Sequence, residues 1–245
     1  MRRRASRPAS MICANSRSSS AVSSATAPIS SRYRPIASLM TCVLSCPVHS
    51  LPVERLGVLG GTFDPPHIGH VAAGLYTLDQ LRLDRVLFVV ANDPWQKSAD
   101  RPVTPAADRL AMVEAAVEGH PGLEVSTVDI DRGGPSYTVD TVADLEASHP
   151  GAAIWLVLGV DAAAGMPTWH RWEDLAGRVR IALLDRPGAV RHDPPGFAVD
   201  AVHMPEIDVS STDLRRSLVA GRPVGGLVPE AVHSVIERRG IYRRP

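Results

Sequence analysis

Leu56-Gly57-Val58-Leu59, running into Gly60-Gly61-Thr62-Phe63-Asp64-Pro65-Pro66-His67-Ile68-Gly69-His70, is the stretch that decides how this chain reads. The apolar run predicts a strand. The amphipathic run that follows, Val71 to Leu81, predicts a helix. A glycine-rich turn between a strand and a helix start presents backbone N–H groups to an anion, and the helix dipole favours negative charge there. His67 and His70 add side-chain donors at the same turn. The pattern describes a site that holds a nucleoside triphosphate and stabilises charge on it.

Working outward, strand and helix alternate. Arg85–Ala91 is a β-rich run that reads as buried on both faces, and Thr104-Pro105 offers a cap and a proline to open the next helix. Leu123–Val128 reads as a short strand and Tyr137–Ala147 as a helix. Ile154–Leu158, Val179–Leu184 and Ala198–His203 read as further strands. This order predicts an α/β fold, a Rossmann-like doubly wound parallel sheet with a small helical part at the C-terminus. Such sheets bind ligands beyond the carboxyl ends of their strands, at the switch point. The Gly60–His70 turn, Gly159-Val160-Asp161 and the loop after Ala91 all fall on that edge.

Val209-Ser210-Ser211-Thr212-Asp213-Leu214-Arg215 predicts a second helix start, with Ser210 or Ser211 as the cap and a guanidinium in the first turn. It suits phosphate by the same dipole argument. The last helix is expected over Pro229–Arg239, stopped by Gly240. His67 and His70 could ligate a metal, but no third ligand lies near in sequence. They suit phosphate oxygens better, with His70 against the transferred phosphorus and His67 on its neighbours. Asp64 reads equally as a turn cap. Asp161 could hold a ribose hydroxyl or cap a helix. Trp169 and Trp172 are three apart, so one face of a helix could carry both; Trp169 could stack on a flat ring, whereas Trp172 reads as core. Tyr137-Thr138, after Gly133-Gly134-Pro135, reads as a helix start that could receive a small carboxylate.

Charge divides the chain. Residues 1–53 hold seven arginines and no acidic residue, which leaves 19 basic against 26 acidic groups in the remainder. That balance argues against general nucleic-acid binding, and no apolar run is long enough to span a membrane. We expect residues 1–54 to be an extension, by a late translation start, by disorder or as a targeting segment, and residues 55–245 to be the functional domain. Cys13, Cys42 and Cys46 all lie in the extension, so thiolate chemistry is not expected in the domain. Lys97 is the single lysine.

With these residues in hand, the chain resembles nicotinate-nucleotide adenylyltransferases of the HxGH nucleotidyltransferase superfamily. The likeness is carried by Gly60–His70, Asn92–Lys97, Arg109, Ser136–Thr141, Gly159–Asp161, Trp169–Trp172, Arg186-Pro187-Gly188 and Ser210–Arg215. The tryptophan–lysine loop is similar to that of actinobacterial members. The resemblance implies a cytoplasmic enzyme that joins ATP and nicotinate mononucleotide, with Mg²⁺ carried on ATP, to give deamido-NAD and pyrophosphate. It implies ATP contacts at Gly60, Gly61, Thr62, Phe63, His67, His70, Asp161, Arg186, Ser211, Thr212 and Arg215. It implies mononucleotide contacts at Asn92, Lys97, Thr138, Trp169 and His170. Neither nucleic acid nor membrane is an expected partner, and self-association is left open. The sequence departs from the family where many members read Tyr-Leu-Val-Pro and this chain reads Gly226-Leu227-Val228-Pro229. Competing readings are an amide-preferring or dual-specificity enzyme and a non-catalytic nucleotide-binding regulator. An aminoacyl-tRNA synthetase would need a lysine-rich second motif, which a single lysine cannot supply.

Overall fold

The computed structural model describes residues 53–94, 102–185 and 193–243. The readings of residues 1–52, the three cysteines, Lys97 and Arg186 lie outside the described residues. Six strands form one sheet: β1 (Arg55–Gly61), β2 (Arg85–Val90), β3 (Leu123–Ser126), β4 (Ala153–Gly159), β5 (Val179–Asp185) and β6 (Val199–His203). Their spatial order is β3-β2-β1-β4-β5-β6, and every pairing is parallel. The order reverses between β1 and β4. That crevice is the switch point of a doubly wound sheet.

The four inner strands alternate between two cores with the period of two that a sheet buried on both faces requires. Val86, Phe88 and Val90 of β2 join one core and Leu87 and Val89 the other. In β4, Trp155 and Val157 oppose Ile154 and Leu156. The first core also contains buried side chains of α1 (Ile68–Gln80), α2 (Ala106–Val117), α6 (Ser211–Val219) and α7 (Glu230–Arg239). The second contains those of α4 (Thr138–Ser148) and α5 (Val160–Gly165). The remaining described helix, α3 (Val128–Arg132), is short.

Three local expectations shift. Pro105 itself caps α2, which begins one residue later, and the Thr104 carbonyl serves another partner. The chain leaves β3 at Ser126, and Val128, expected to close that strand, opens α3. Trp172 is not a core residue. The stretch after Gly165 forms two 3₁₀ turns instead of a helix with one apolar face, with Arg171 at φ 50° before the second. Trp172 is half-buried and stacks on Phe197 at 6.1 Å, while Leu175 takes the buried place.

Candidate active site

Two cavities open beyond the carboxyl ends of the strands. The larger, about 720 Å³, is lined by Gly60–Asp64, His67, Gly69, His70, Gly159 and the start of α6, Ser210–Thr212 with Arg215. The smaller, about 420 Å³, is lined by Ala91, Pro94, Asp129, Ser136–Thr138, Thr141, Asp161 and Thr168–His170. Both share Gly60, Gly61 and Thr62 at the end of β1, and Leu158 and Ala162 beside β4. A group that reaches from one cavity to the other crosses the glycine turn at the switch point.

The turn is held from below. Phe63 adopts φ 50°, a left-handed conformation a bulky side chain rarely takes, and its buried ring packs on Phe88 at 5.7 Å and edge-on against His70 at 5.0 Å. A Cβ on Gly61 would stand 2.9 Å from that ring, whereas one on Gly60 would meet nothing within 4 Å. Gly61 is therefore required for packing. Gly60 leaves backbone open to the cavities.

The histidines stack at 3.7 Å between ring centroids. The His67 N–H donates to His70 Nδ1 at 3.2 Å. In its neutral form the His70 ring therefore carries its proton on Nε2, as a donor. His67 caps α1, and burial lowers its pKa to about 4. It is neutral at pH 7, and its buried Nδ1 has no hydrogen-bond partner. His67 and the His70 Nε2 therefore offer hydrogen bonds, and among the described residues Arg215 brings a fixed positive charge to the larger cavity.

α6 is pinned to the turn. Ser210 is the cap, accepting from the Asp213 N–H at 3.1 Å. Ser211 Oγ donates to the Pro65 carbonyl at 2.9 Å, and Arg215 donates to the Asp64 carbonyl at 2.6 Å and to Thr212 Oγ1 at 3.1 Å. Two helix beginnings and the histidine pair thus face one cavity.

Around the smaller cavity, Thr138 opens α4, whose first two N–H groups are not used inside the helix. Tyr137 packs on the His170 ring at 4.3 Å. Asp129 is buried and accepts from Arg132 at 2.7 Å and from Thr141 Oγ1 at 2.6 Å. Thr138, Trp169 and His170 all line this cavity. Asp161, expected by resemblance to contact ATP, lines it too and not the larger one. Asn92, expected on the mononucleotide, lines neither. Its Nδ2 donates to the Gly134 carbonyl at 2.9 Å and its N–H to Ser136 Oγ at 2.8 Å, which fastens the loop after β2 to the loop before α4.

Arg109 was singled out only by resemblance, and its role is not legible in the sequence. It is 1% exposed, and its guanidinium donates to four carbonyls: Thr62 (3.0 Å), Ala91 (2.6 Å), Asn92 (2.9 Å) and Thr104 (2.7 Å). One buried cation therefore ties the glycine turn to the loop that walls the smaller cavity.

A family model described as cytidylyltransferase-like matches residues 58–217. Proteins named "Probable nicotinate-nucleotide adenylyltransferase" match closely. That of Corynebacterium kroppenstedtii is 43% identical over 192 residues, 77% of this chain and 90% of its own length. That of Streptomyces coelicolor is 43% identical over 187 residues, 76% of this chain and 99% of its own. The chain belongs to the nicotinate-nucleotide adenylyltransferase family. The likeness extends to the fold of Plasmodium falciparum nicotinic acid mononucleotide adenylyltransferase complexed with NaAD. That protein matches with a TM-score of 0.62 at 16% identity, covering 77% of this chain and 97% of the other.

Proposed function

We infer that residues 55–245 catalyse adenylyl transfer from ATP to nicotinate mononucleotide, giving deamido-NAD and pyrophosphate. The observation that carries this reading is the pair of cavities joined across Gly60–Thr62. ATP occupies the larger, with its triphosphate between the start of α1 and the start of α6. The mononucleotide occupies the smaller, its ring against Trp169 and its carboxylate toward the first N–H groups of α4. A phosphate oxygen of the mononucleotide attacks the α-phosphorus at the shared turn. The new O–P bond forms as the bond to the β-phosphate oxygen breaks, and the electron pair leaves with pyrophosphate. His70 Nε2 and the Arg215 guanidinium stabilise the charge that builds on the phosphate oxygens.

A divalent cation accords with this chemistry, and we propose Mg²⁺ carried on ATP. Among the described residues no three metal-ligating side chains converge, so phosphate oxygens and water would supply its ligands. Bound there, it would neutralise charge on the leaving pyrophosphate. We place the reaction in the cytoplasm, as the resemblance implies. No helix among the described residues is long and apolar enough to cross a membrane.

Pyrophosphate release, measured with nicotinate and with nicotinamide mononucleotide, tests the reading. We expect kcat/KM to favour the acid at least tenfold, and His70→Ala to lower kcat about a hundredfold. Equal efficiency on both would overturn acid preference. ATP binding without pyrophosphate release on any mononucleotide would leave a nucleotide-binding regulator.

A further inference from the structure

We propose that Tyr242 is a positioning residue for the triphosphate cavity, setting Asp64 and, through it, Arg215. The proposal rests on the adenylyl-transfer reading. Gly240 ends α7 in the left-handed region at φ 66°, and the chain turns back so that Tyr242 reaches under the glycine turn. Its hydroxyl donates to Asp64 Oδ1 at 2.6 Å, across 178 residues of sequence. Asp64 is 1% exposed, and its own carbonyl accepts from the Arg215 guanidinium at 2.6 Å. One residue is thus gripped at its side chain by the C-terminal segment and at its backbone by α6.

This double grip has a consequence for chemistry. The orientation of the Asp64 peptide sets where its carbonyl points, and that carbonyl helps to fix the guanidinium. Among the described residues, Arg215 supplies the guanidinium that lines the larger cavity. The Pro65 carbonyl, one residue on, anchors Ser211. Tyr242 itself lines neither cavity, and of the two side chains its hydroxyl meets, Asp64 and Thr104, Asp64 is the one whose carbonyl holds Arg215. Its ring is partly buried against the first core, which gives the hydroxyl a rigid mount. Burial, and then the Asp64 charge, push the phenol well above the usual tyrosine range, so it remains a donor wherever the enzyme works.

The test separates the hydroxyl from the ring. Tyr242→Phe removes one oxygen, and Tyr242→Leu removes the ring as well. Steady-state pyrophosphate release by the full chain, with ATP and nicotinate mononucleotide varied in turn, is measured below each variant's melting temperature. We expect Tyr242→Phe to raise KM for ATP about tenfold and to leave KM for the mononucleotide within about twofold, because a charge-assisted bond to a buried carboxylate is lost. Tyr242→Leu should show the same rise in KM for ATP with a lower melting temperature. A wild-type KM for ATP in the Phe variant, at any melting temperature, overturns the proposal, as does an equal rise in both KM values. Were the wild type to release no pyrophosphate, the adenylyl-transfer reading would fall. ATP titration by calorimetry would then decide the positioning role, with about tenfold weaker binding by the Phe variant supporting it and equal binding overturning it.

Discussion

The two cavities are fastened in different ways. The walls of the larger come from segments far apart in sequence, joined by bonds that span 146 residues (Ser211 to Pro65) and 151 (Arg215 to Asp64), and Asp64 is held from outside the wall by one that spans 178 (Tyr242 to Asp64). The walls of the smaller are joined at shorter range: 44 and 42 residues between Asn92 and the loop before α4, and 12 between Thr141 and Asp129. The chemistry explains the difference. Charge develops at the triphosphate, and donors aimed at it help most when they need not reorganise. A flat ring and its carboxylate ask mainly for shape and one helix start. Long-range ties suit the first task, and locally closed loops suffice for the second.

Arg109 is the place where that contrast should fail, because it serves both cavities. Arg109→Met would leave the carbonyls of Thr62, Ala91, Asn92 and Thr104 without this donor in a buried site. Each carbonyl left unsatisfied costs on the order of 1–3 kcal/mol, so we expect a loss of about 3 kcal/mol or more. The melting temperature should fall by about 10 °C. KM for ATP and KM for the mononucleotide should rise together. Thermal unfolding beside steady-state kinetics checks this. A rise confined to one substrate would show that the cavities are held independently.

Acid should loosen the larger cavity through His67. The folded protein keeps this ring neutral down to about pH 4, because it is buried. The unfolded chain takes up a proton near pH 6.5. Between those values the unfolded state binds more protons, so stability falls as pH falls, by about 2 kcal/mol at pH 5 relative to pH 7.5. Urea midpoints at the two pH values, for wild type and His67→Gln, measure it. The variant should lose about 2 kcal/mol less than wild type over that interval, and equal losses would remove His67 as the cause.

The same contrast governs how much the sequence disclosed. The glycine turn, the histidine pair and the start of α6 were legible because each is a contiguous pattern whose chemistry belongs to a helix beginning. The sheet was legible because runs such as Arg85–Val90 and Ala153–Gly159 are too apolar to lie anywhere but inside. The roles of Arg109 and Tyr242 were not, because partners brought in by the fold define them. Asp129 was hidden for a similar reason: only the packing of α3 on α4 shows that its carboxylate is buried and held. Trp172 misled because spacing of three implies a shared face only on a regular helix, and Arg171 at φ 50° breaks that regularity. Asn92 was placed on the mononucleotide by resemblance, yet its amide closes two loops.

Trp169 offers the finest separation of the two regions. It is half-buried, lines the smaller cavity and is absent from the wall of the larger. A flat ring stacked on an indole gains about 1 kcal/mol beyond its area. Trp169→Ala should therefore raise KM for nicotinate mononucleotide about tenfold and leave KM for ATP unchanged, while Trp169→Phe should recover most of the loss. The Phe variant matters because Trp169 also packs against the second core, and an alanine alone could act by loosening the 3₁₀ turn at Met166–Thr168. Loosening would move both substrates, since Ala162 in α5, just before that turn, lines both cavities. Stacking moves the mononucleotide alone.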